Sequence, residues 1–378
     1  MSKGQFLEFP KKFKPMKKHL ASILLSVLFL FSAFAGKAQE KQLIKPDDPA
    51  LSITGAWFLQ KTPDSVMLNR FTPEILKDQH TYMNPKNAWC QSGVVVSVKT
   101  DSPEVVFLFD KRAGAKHRGG SFGIFKDGKF FKAVKVSPKK PLLPLAVKNP
   151  EGKKLTLWQI TPPPYFGVNF KGIEIDKGSR CKKVKTGSRP VYVAIGNSIT
   201  QGTGQQATYQ TYPFILAEKK GWTLYNLAVG GSKISWPVAR LLKGKKVDVI
   251  TILWGYNDWN AGFLPDKQIK NNYTKLLQGL LKAQPQANIY CILPTYTNRT
   301  APKKGSATLD EIRKAEAGVV KQFQQKGYHN LFLVDGSKIT DATFLRPKGS
   351  KDVVHFTPAG AKKFAEALAG IVKAPGAR

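Results

Sequence analysis

The second half of the chain alternates continuous apolar segments with amphipathic ones, and this pattern leaves few folds open. The five apolar stretches are residues 190–195, 222–229, 247–254, 288–294 and 331–335. Amphipathic segments separate them, and the last predicted helix begins near Pro358. Strands that are apolar on both faces are typical of parallel sheets covered by helices on both sides. We therefore predict an α/β domain with a five-stranded parallel sheet over residues 190–374.

The first half of the chain has a different pattern, with short runs rich in β-branched and aromatic residues. These runs are residues 94–100, 104–110, 121–125, 129–136 and 154–160. Gly, Pro and Asp separate the runs, and Asp127-Gly128 between two of them is typical of a tight hairpin turn. We predict an antiparallel β-sandwich over residues 45–182. The basic, proline-ended segment 183–189 is predicted to be a linker.

One long apolar run lies near the N-terminus, from Leu20 to Ala35, after a basic flank at Lys17 and Lys18. A basic flank, an apolar stretch and small residues at its end are typical of a secretory signal. A retained membrane anchor is the alternative, but the run is short for a span. We assign residues 1–38 to an N-terminal extension and signal peptide. The protein is therefore expected to be exported, either periplasmic or secreted, without stable membrane insertion.

The chain is strongly basic, with 60 Lys and Arg against 25 Asp and Glu and a net charge of +35. Such a charge favours acidic polymers, for example a glycan that carries uronic acids, or it forms a solvated lysine-rich surface. The lysines are scattered in pairs, and no stretch interleaves basic and aromatic residues as nucleic-acid motifs do. We expect no nucleic-acid partner.

Cysteine and histidine usage limits the structural and metal chemistry. Three cysteines exclude a disulfide-dense scaffold. A bond between Cys90 and Cys181 is left open, and Cys291, in an apolar run, is predicted to be a small core residue. Neither cysteines nor histidines have the spacing of a metal site. We expect no metal.

Polar residues follow the predicted parallel strands, at the sheet edge where ligands bind in open α/β sheets. A serine hydroxyl is a weak nucleophile and needs a base within hydrogen-bond reach. His355 is the best candidate base for Ser198, because imidazole exchanges protons near neutral pH. Asp352 lies three residues before His355, so both side chains can face one site and the carboxylate can orient the ring.

The same edge offers hydrogen-bond donors for a tetrahedral oxyanion. These donors are the Gly231 N–H, the Asn257 side-chain amide and the Ser198 N–H. Other residues have weaker patterns: a serine predicted to start a helix, a histidine predicted to lie in a loop, and three acids without the short spacing to His355. They are Ser232, His117, Asp248, Asp335 and Asp341.

Four separated blocks occur in the order found in the SGNH hydrolases, also called the GDSL esterase superfamily, and the chain resembles that family. The blocks are Gly196-Asn197-Ser198-Ile199, Asn226 through Gly231, Gly255-x-Asn257-Asp258 and Asp352-x-x-His355. The resemblance implies Ser198 as nucleophile, with His355 as base and Asp352 as orienting acid. It also implies that Ser198, Gly231 and Asn257 form the oxyanion hole.

The family also implies a flavodoxin-like three-layer α/β/α fold and no metal or organic cofactor. Asn197 stands where the commonest form of the first block has Asp, and an Asn keeps an acceptor oxygen while it loses the charge. Block two carries two glycines, Gly230 and Gly231. The offset from Asn226 favours Gly231, and a slip of one residue is the alternative.

The first half resembles the jelly-roll domain that precedes the hydrolase domain in some exported carbohydrate esterases. That resemblance implies an exported serine esterase that removes O-acetyl groups from acetylated xylan, pectin or a related glycan. The positive charge of the chain would suit a glycan that carries uronic acids. Tyr256 and Trp259 are candidates to line its pocket, with core packing as the alternative. Two other functions stay open: a lipid-directed esterase, lysophospholipase or thioesterase of the same superfamily, and a non-catalytic glycan-binding protein.

Overall fold

The computed structural model describes residues 39–184, 189–347 and 349–376. The predicted signal segment lies outside the described residues, as do residues 185–188 of the predicted linker. Residues 42–378 form one compact unit. Within the part of the chain that the structure describes, we find no helix with the length and apolarity needed to cross a bilayer.

Within residues 39–184, the structure has twelve strands and two short helices. The strands are β1 Lys41–Ile44, β2 Ser52–Thr54, β3 Phe58–Lys61, β4 Val66–Asn69, β5 Val95–Thr100, β6 Glu104–Lys111, β7 Gly120–Lys126, β8 Lys129–Val136, β9 Leu145–Lys148, β10 Thr156–Thr161, β11 Val168–Asp176 and β12 Cys181–Lys182. The helices are α1 Pro73–Lys77 and α2 Pro85–Ala88.

These strands form two six-stranded antiparallel sheets that pack against each other. One sheet has the order β3-β4-β11-β6-β9, with β1 beside β11, and the other has the order β12-β5-β10-β7-β8, with β2 beside β5. The apolar sides of both sheets share one core, which includes the fully buried side chains of Phe107, Phe122, Trp158 and Phe170. The predicted antiparallel β domain is confirmed.

Glycine explains both a correct and a missed prediction in this domain. Asp127 and Gly128 have φ values of 49° and 79° and join β7 to β8, so the predicted hairpin is present. Strand β11 was not predicted, although it is nine residues long. Gly172, at φ 117°, interrupts its apolar pattern and marks a shift in register against β6.

The remaining elements form the parallel sheet and its helices. The strands are β13 Val191–Gly196, β14 Thr223–Ala228, β15 Val249–Leu253, β16 Asn288–Ile292 and β17 Leu331–Val334. The helices are α3 Ser198–Gln201, α4 Tyr212–Lys220, α5 Tyr256–Asn260, α6 Lys270–Ala283, α7 Leu309–Gln325 and α8 Pro358–Ile371. Shorter turns of 3-10 helix cover Thr208–Gln210, Trp236–Leu242 and Ala342–Phe344.

The parallel sheet has the order β14-β13-β15-β16-β17, which is the flavodoxin-like arrangement predicted for this half. Strand β15 is buried along its whole length. Helices α6 and α7 belong to the apolar core on one face of the sheet, and α4 and α8 belong to the core on the other face. The predicted three-layer α/β/α fold is confirmed.

Local signals set the ends of the helices in this domain. Thr308 and Glu311 form a capping box in front of α7. Thr357 caps α8, whose first residue is Pro358, as predicted. Helix α6 follows directly on a turn of π-helix at Pro265–Ile269.

The β domain contacts the α/β domain through a buried arginine. Arg70 is 1% exposed and donates to the carbonyl oxygens of Asn226 and Ala228 in β14, at 2.6 and 2.8 Å. Its Nε donates to the Cys90 carbonyl at 2.6 Å. Burial lowers the pKa of Arg70 to about 10. Because both halves pack into one compact unit, the limits 45–182 and 190–374 stay predictions.

Candidate active site

Ser198, His355 and Asp352 form a hydrogen-bonded chain where the first parallel strand ends. Ser198 Oγ lies 2.8 Å from His355 Nε2, and His355 Nδ1 lies 2.9 Å from Asp352 Oδ1. Because an ionised carboxylate only accepts, Nδ1 carries the hydrogen and Nε2 is left to accept the serine proton. The fold thus brings together a hydroxyl and an imidazole that are 157 positions apart.

The loop before α8 holds Asp352 in place. The carboxylate also accepts from the backbone N–H groups of Val354 and His355, at 3.4 and 3.1 Å. Arg346 Nε lies 3.3 Å from its second oxygen. Partial burial raises the pKa of Asp352, but the hydrogen bonds from His355 outweigh burial and set this pKa well below its usual range. Asp352 is therefore a carboxylate at neutral pH.

The weaker sequence candidates lie in other surroundings. Ser232 Oγ is buried and donates to a backbone carbonyl at the end of β13 at 3.1 Å. His117 contacts a backbone carbonyl of the β domain at 2.8 Å. Asp248, Asp335 and Asp341 each accept from a backbone N–H near their own strand end or turn. Among the hydrogen bonds of the described residues, His355 pairs with Asp352 and with none of these acids.

The two adjacent glycines of block two differ in what their N–H groups do. The Gly230 N–H donates to Gln201 Oε1 at 2.6 Å. The Gly231 N–H has no acceptor among the described residues, and Gly231 has φ 82° with open space where a β-carbon would lie. A glycine is required there because few other residues adopt this φ. Of the two alternatives, Gly231 is the one with a free donor.

The other two predicted donors are the Ser198 backbone N–H and the Asn257 side-chain amide. The Ser198 N–H is the first of helix α3 and has no acceptor among the residues that the structure describes. Asn257, in α5, is half-buried, and its Nδ2 donates to the Ser232 carbonyl at 2.9 Å. That bond orients the amide and leaves its second N–H available. The three sequence-predicted donors therefore all retain a free N–H.

Asn197 begins helix α3 in the way that an Asp would. Its Oδ1 accepts from the Ile199 N–H at 3.0 Å, and the side chain is 2% exposed. The acceptor oxygen expected of the Asn is thus in use, which is the N-cap interaction that starts a helix. A neutral amide at this buried position avoids the desolvation cost of a carboxylate.

Sequence reasoning missed the groups that support the block-two loop. Gln201 is fully buried, and its Nε2 donates to the carbonyls of Asn87 and Pro164, at 2.9 and 3.1 Å. The Tyr165 hydroxyl fills the space where a side chain at Gly230 would lie. The one available signal was that Gln201 lies three residues after Ser198 in the same block. No local pattern marks Tyr165.

The two aromatic residues predicted to line a pocket, Tyr256 and Trp259, differ in burial. Trp259 is 1% exposed, lies in the apolar core, and donates from Nε1 to the Ala307 carbonyl at 2.8 Å. Its assignment to a substrate pocket is therefore wrong, since a fully packed indole offers no face to a ligand. Tyr256 is half-buried, contacts Trp259 edge-on, and accepts from Arg299 Nε at 3.1 Å.

A pair of buried carboxyl groups lies under block three. Asp258 and Glu316 are both fully buried, and Glu316 Oε1 would be 2.5 Å from a β-carbon on Gly255. Asp258 Oδ1 accepts from the Ile234 N–H at 3.0 Å, whereas Asp258 Oδ2 and both Glu316 oxygens have no partner within the described part of the chain. Burial raises the pKa of Asp258 to about 7 and that of Glu316 well above its usual range.

The described residues contain no group of three His, Cys, Asp or Glu that could hold a metal ion.

All three cysteines are free thiols, so the bond left open between Cys90 and Cys181 is not formed. Cys291 is fully buried in the core, as predicted. Burial raises the pKa of its thiol to about 12, which keeps it protonated.

Three solved structures show a similar fold over most of the chain. The salicylyl-acyltransferase SsfX3, from a tetracycline biosynthetic pathway, is 20% identical with a TM-score of 0.76, over 87% of this chain and 95% of its own. A protein described as a GDSL-like lipase from Bacteroides ovatus is 18% identical, with a TM-score of 0.67 and coverage of 89% and 99%. Acetyl xylan esterase Est2A from Butyrivibrio proteoclasticus is 14% identical, with a TM-score of 0.59 and coverage of 87% and 98%.

Sequence comparison finds one family model that matches part of the chain. A search of curated proteins finds no match. Residues 194–363 match the GDSL-like Lipase/Acylhydrolase family. The matched segment runs from β13 into α8 and includes all four blocks. An antiparallel β domain in this chain is thus followed by an α/β domain that matches the GDSL-like Lipase/Acylhydrolase family over residues 194–363.

Proposed function

We propose that the protein is a serine ester hydrolase that removes O-acetyl groups from a carbohydrate through an acyl-enzyme on Ser198. The observation that carries this proposal is the unbroken hydrogen-bonded chain from Ser198 through His355 to Asp352. A serine hydroxyl with a base at 2.8 Å and a carboxylate behind that base is the arrangement that acyl transfer requires.

In the first half of the reaction, Ser198 Oγ attacks the ester carbonyl carbon while its proton moves to His355 Nε2. Asp352 holds the Nδ1–H and stabilises the imidazolium that forms. His355 then gives the proton to the departing sugar oxygen, and the acetyl group stays on Ser198. In the second half, His355 takes a proton from water while the water oxygen attacks the acyl carbon. The bond from that carbon to Ser198 Oγ then breaks, His355 returns the proton to Oγ, and acetic acid leaves and ionises to acetate.

The tetrahedral intermediates carry negative charge on the former carbonyl oxygen. The N–H groups of Ser198 and Gly231 and the second N–H of the Asn257 amide have no acceptor among the described residues, and we assign the oxyanion hole to them. One such donor is worth about 10²–10³ in kcat. The donors come from three loops, at the ends of β13, β14 and β15, so their convergence depends on the parallel sheet.

A carbohydrate O-acetyl ester is the substrate class that the relatives favour. Est2A, whose fold covers 87% of this chain, is an acetyl xylan esterase. We extend that class to this protein because both the β domain and the α/β domain are shared. The predicted signal peptide over residues 1–38 adds the proposal that the enzyme works outside the cytoplasm, where plant and microbial glycans are found.

Mutation of the nucleophile tests the reaction. Ser198→Ala should abolish both hydrolysis of 4-nitrophenyl acetate and labelling by a fluorophosphonate probe, while circular dichroism and the melting temperature stay as in the wild type. Ser232→Ala is the matched control, since Ser232 also follows a glycine but hydrogen-bonds within the fold, and it should still be labelled. Labelling of properly folded Ser198→Ala protein would overturn the assignment.

A lipid-directed esterase is the second candidate, because one relative is described as a GDSL-like lipase. The two functions differ in the length of the acyl chain. A carbohydrate acetylesterase should prefer 4-nitrophenyl acetate to the octanoate ester, and it should release acetate from acetylated xylan, pectin or simple acetylated sugars. Preference for the octanoate ester would remove the deacetylase proposal and leave the serine mechanism intact.

A further inference from the structure

A polar cavity of about 320 Å³ adjoins the loop that carries His355. Two arginines, Arg118 of the β domain and Arg346 of the α/β domain, contribute to its lining, together with Gly204 and Gln205. A β-carbon on Gly204 would lie 3.7 Å from His355 Cβ, so the Gly204 side of the cavity packs against the loop that carries His355. The volume lies in the range of sites that take small ligands.

Arg118 is held in place but has no acidic partner. Its guanidinium carbon lies 4.2 Å from the centre of the Tyr165 ring, and its backbone N–H donates to the Tyr165 carbonyl at 2.8 Å. The Tyr165 hydroxyl accepts from Thr203 Oγ1 at 2.7 Å, which ties the ring to the turn after α3. Arg118 is exposed and makes no salt bridge with any described residue. A guanidinium stacked on a ring keeps its N–H groups free for a carboxylate in the plane.

Arg346 brings a second positive charge to the same cavity. Its Nε lies 3.3 Å from Asp352 Oδ2, and its Nη2 would be 3.4 Å from a β-carbon on Gly204. Gly204 has φ 94°, and a side chain there would also lie 2.6 Å from the Phe356 carbonyl. The absence of that side chain keeps the space beside Arg346 open.

Gln205 adds a buried acceptor that has no donor. The residue is 9% exposed, and its Nε2 donates to the Phe356 carbonyl at 2.9 Å. Its Oε1 is buried and makes no hydrogen bond within the described ranges. An unpaired buried acceptor is costly, so a hydroxyl donor is the complement that this position calls for.

We propose that this cavity is a subsite for a uronic-acid residue of the glycan, next to the ester that Ser198 attacks. A uronic acid carries a carboxylate that pairs with an arginine fork, and its hydroxyls suit a lining that includes the polar Gln205. A neutral sugar has no carboxylate to pair with the Arg118 guanidinium. The inference rests on the proposed function, because it names the kind of glycan whose ester the site hydrolyses. The net charge of +35 favours binding of an acidic polymer, and this cavity is where we propose that its carboxylate binds.

Equilibrium binding tests this subsite separately from catalysis. The full chain with Ser198→Ala is titrated by calorimetry at low salt with trigalacturonate, with xylotriose as the neutral sugar and with a sulfated trisaccharide. Trigalacturonate should bind at least about tenfold tighter than xylotriose, and added salt should weaken only the charged ligand. Equal affinity for trigalacturonate and xylotriose would overturn the proposal. Tighter binding of the sulfated trisaccharide would refute a uronate subsite and indicate a subsite for a sulfate ester.

Variants of single arginines complete the test. Arg118→Gln, in the Ser198→Ala background, should weaken trigalacturonate about tenfold and leave xylotriose unchanged. Arg240→Gln is the matched control, since Arg240 also stacks on an aromatic ring but does not line the cavity, and it should bind like the parent. Unchanged trigalacturonate binding by folded Arg118→Gln protein would refute the subsite. If wild-type protein binds trigalacturonate through Arg118 but hydrolyses no acetyl ester, the proposed function fails while the subsite stands.

Discussion

Replacing Asp258 by asparagine should make the protein increasingly more stable than the wild type as the pH rises. The Asp258 carboxyl is fully buried, and one of its oxygens has no partner within the described residues. The neighbouring Glu316 is similarly buried and has no hydrogen-bond partner either, and the charge of Lys233 favours ionisation of Asp258 less than burial opposes it. Burial therefore raises the pKa of Asp258 from 3.8 to about 7.

The direction and size of the effect follow from proton linkage. Between about pH 4 and about pH 7 the folded protein keeps a proton on Asp258 that the unfolded chain has lost, so the free energy of unfolding falls as the pH rises. A pKa increase from 3.8 to about 7 lowers the free energy of unfolding by about 4 kcal/mol once Asp258 is ionised in both the folded and the unfolded protein. Asparagine cannot ionise, keeps an acceptor for the Ile234 N–H, and places an N–H₂ donor near Glu316.

Urea unfolding of both proteins at several pH values measures the difference. The stability of Asp258→Asn relative to the wild type should increase from about pH 4 to about pH 7, by up to about 4 kcal/mol, and then level off. Asp341→Asn is the control. Asp341 is exposed, and a hydrogen bond from Thr343 lowers the pKa of its carboxyl, so its contribution to the free energy of unfolding changes only at lower pH. A relative stability of Asp258→Asn that stays constant with pH would refute the reasoning.

Three further predictions concern the catalytic groups and their support. Asp352→Asn should lower kcat for 4-nitrophenyl acetate less than His355→Ala does, since the imidazole remains as base; equal losses would contradict this order. Asn257→Ala should lower kcat on the same ester by about 10²–10³ with an unchanged melting temperature, because one oxyanion donor is lost. Gly230→Ala should lower the melting temperature, since its β-carbon would overlap the Tyr165 hydroxyl, and Tyr165→Phe should recover part of that loss.

The elements that depend on local pattern were predictable. The helix over Tyr212–Lys220 and the start of the last helix at Pro358 follow from apolar spacing, glycine at a helix end and proline in a first turn. Strand β11 was missed because a bulge at Gly172 breaks its pattern, and its pairing with β6 is decided by contacts far along the chain. The pocket assignment of Trp259 was wrong for a related reason, since its burial depends on how α7 packs against α5.

By itself, the sequence determined the two kinds of domain, the order of the four blocks and the types of side chain at the strand ends, because hydrophobic period and turn chemistry act over a few residues. Only the tertiary structure decided that Ser198 and His355 lie 2.8 Å apart, that Gly231 rather than Gly230 keeps a free N–H, and that Arg118 reaches the cavity beside His355. These outcomes depend on which distant surfaces meet when the parallel sheet closes and the β domain packs on it. Burial, partner and distance are properties of that packing, and no local spacing along the chain encodes them.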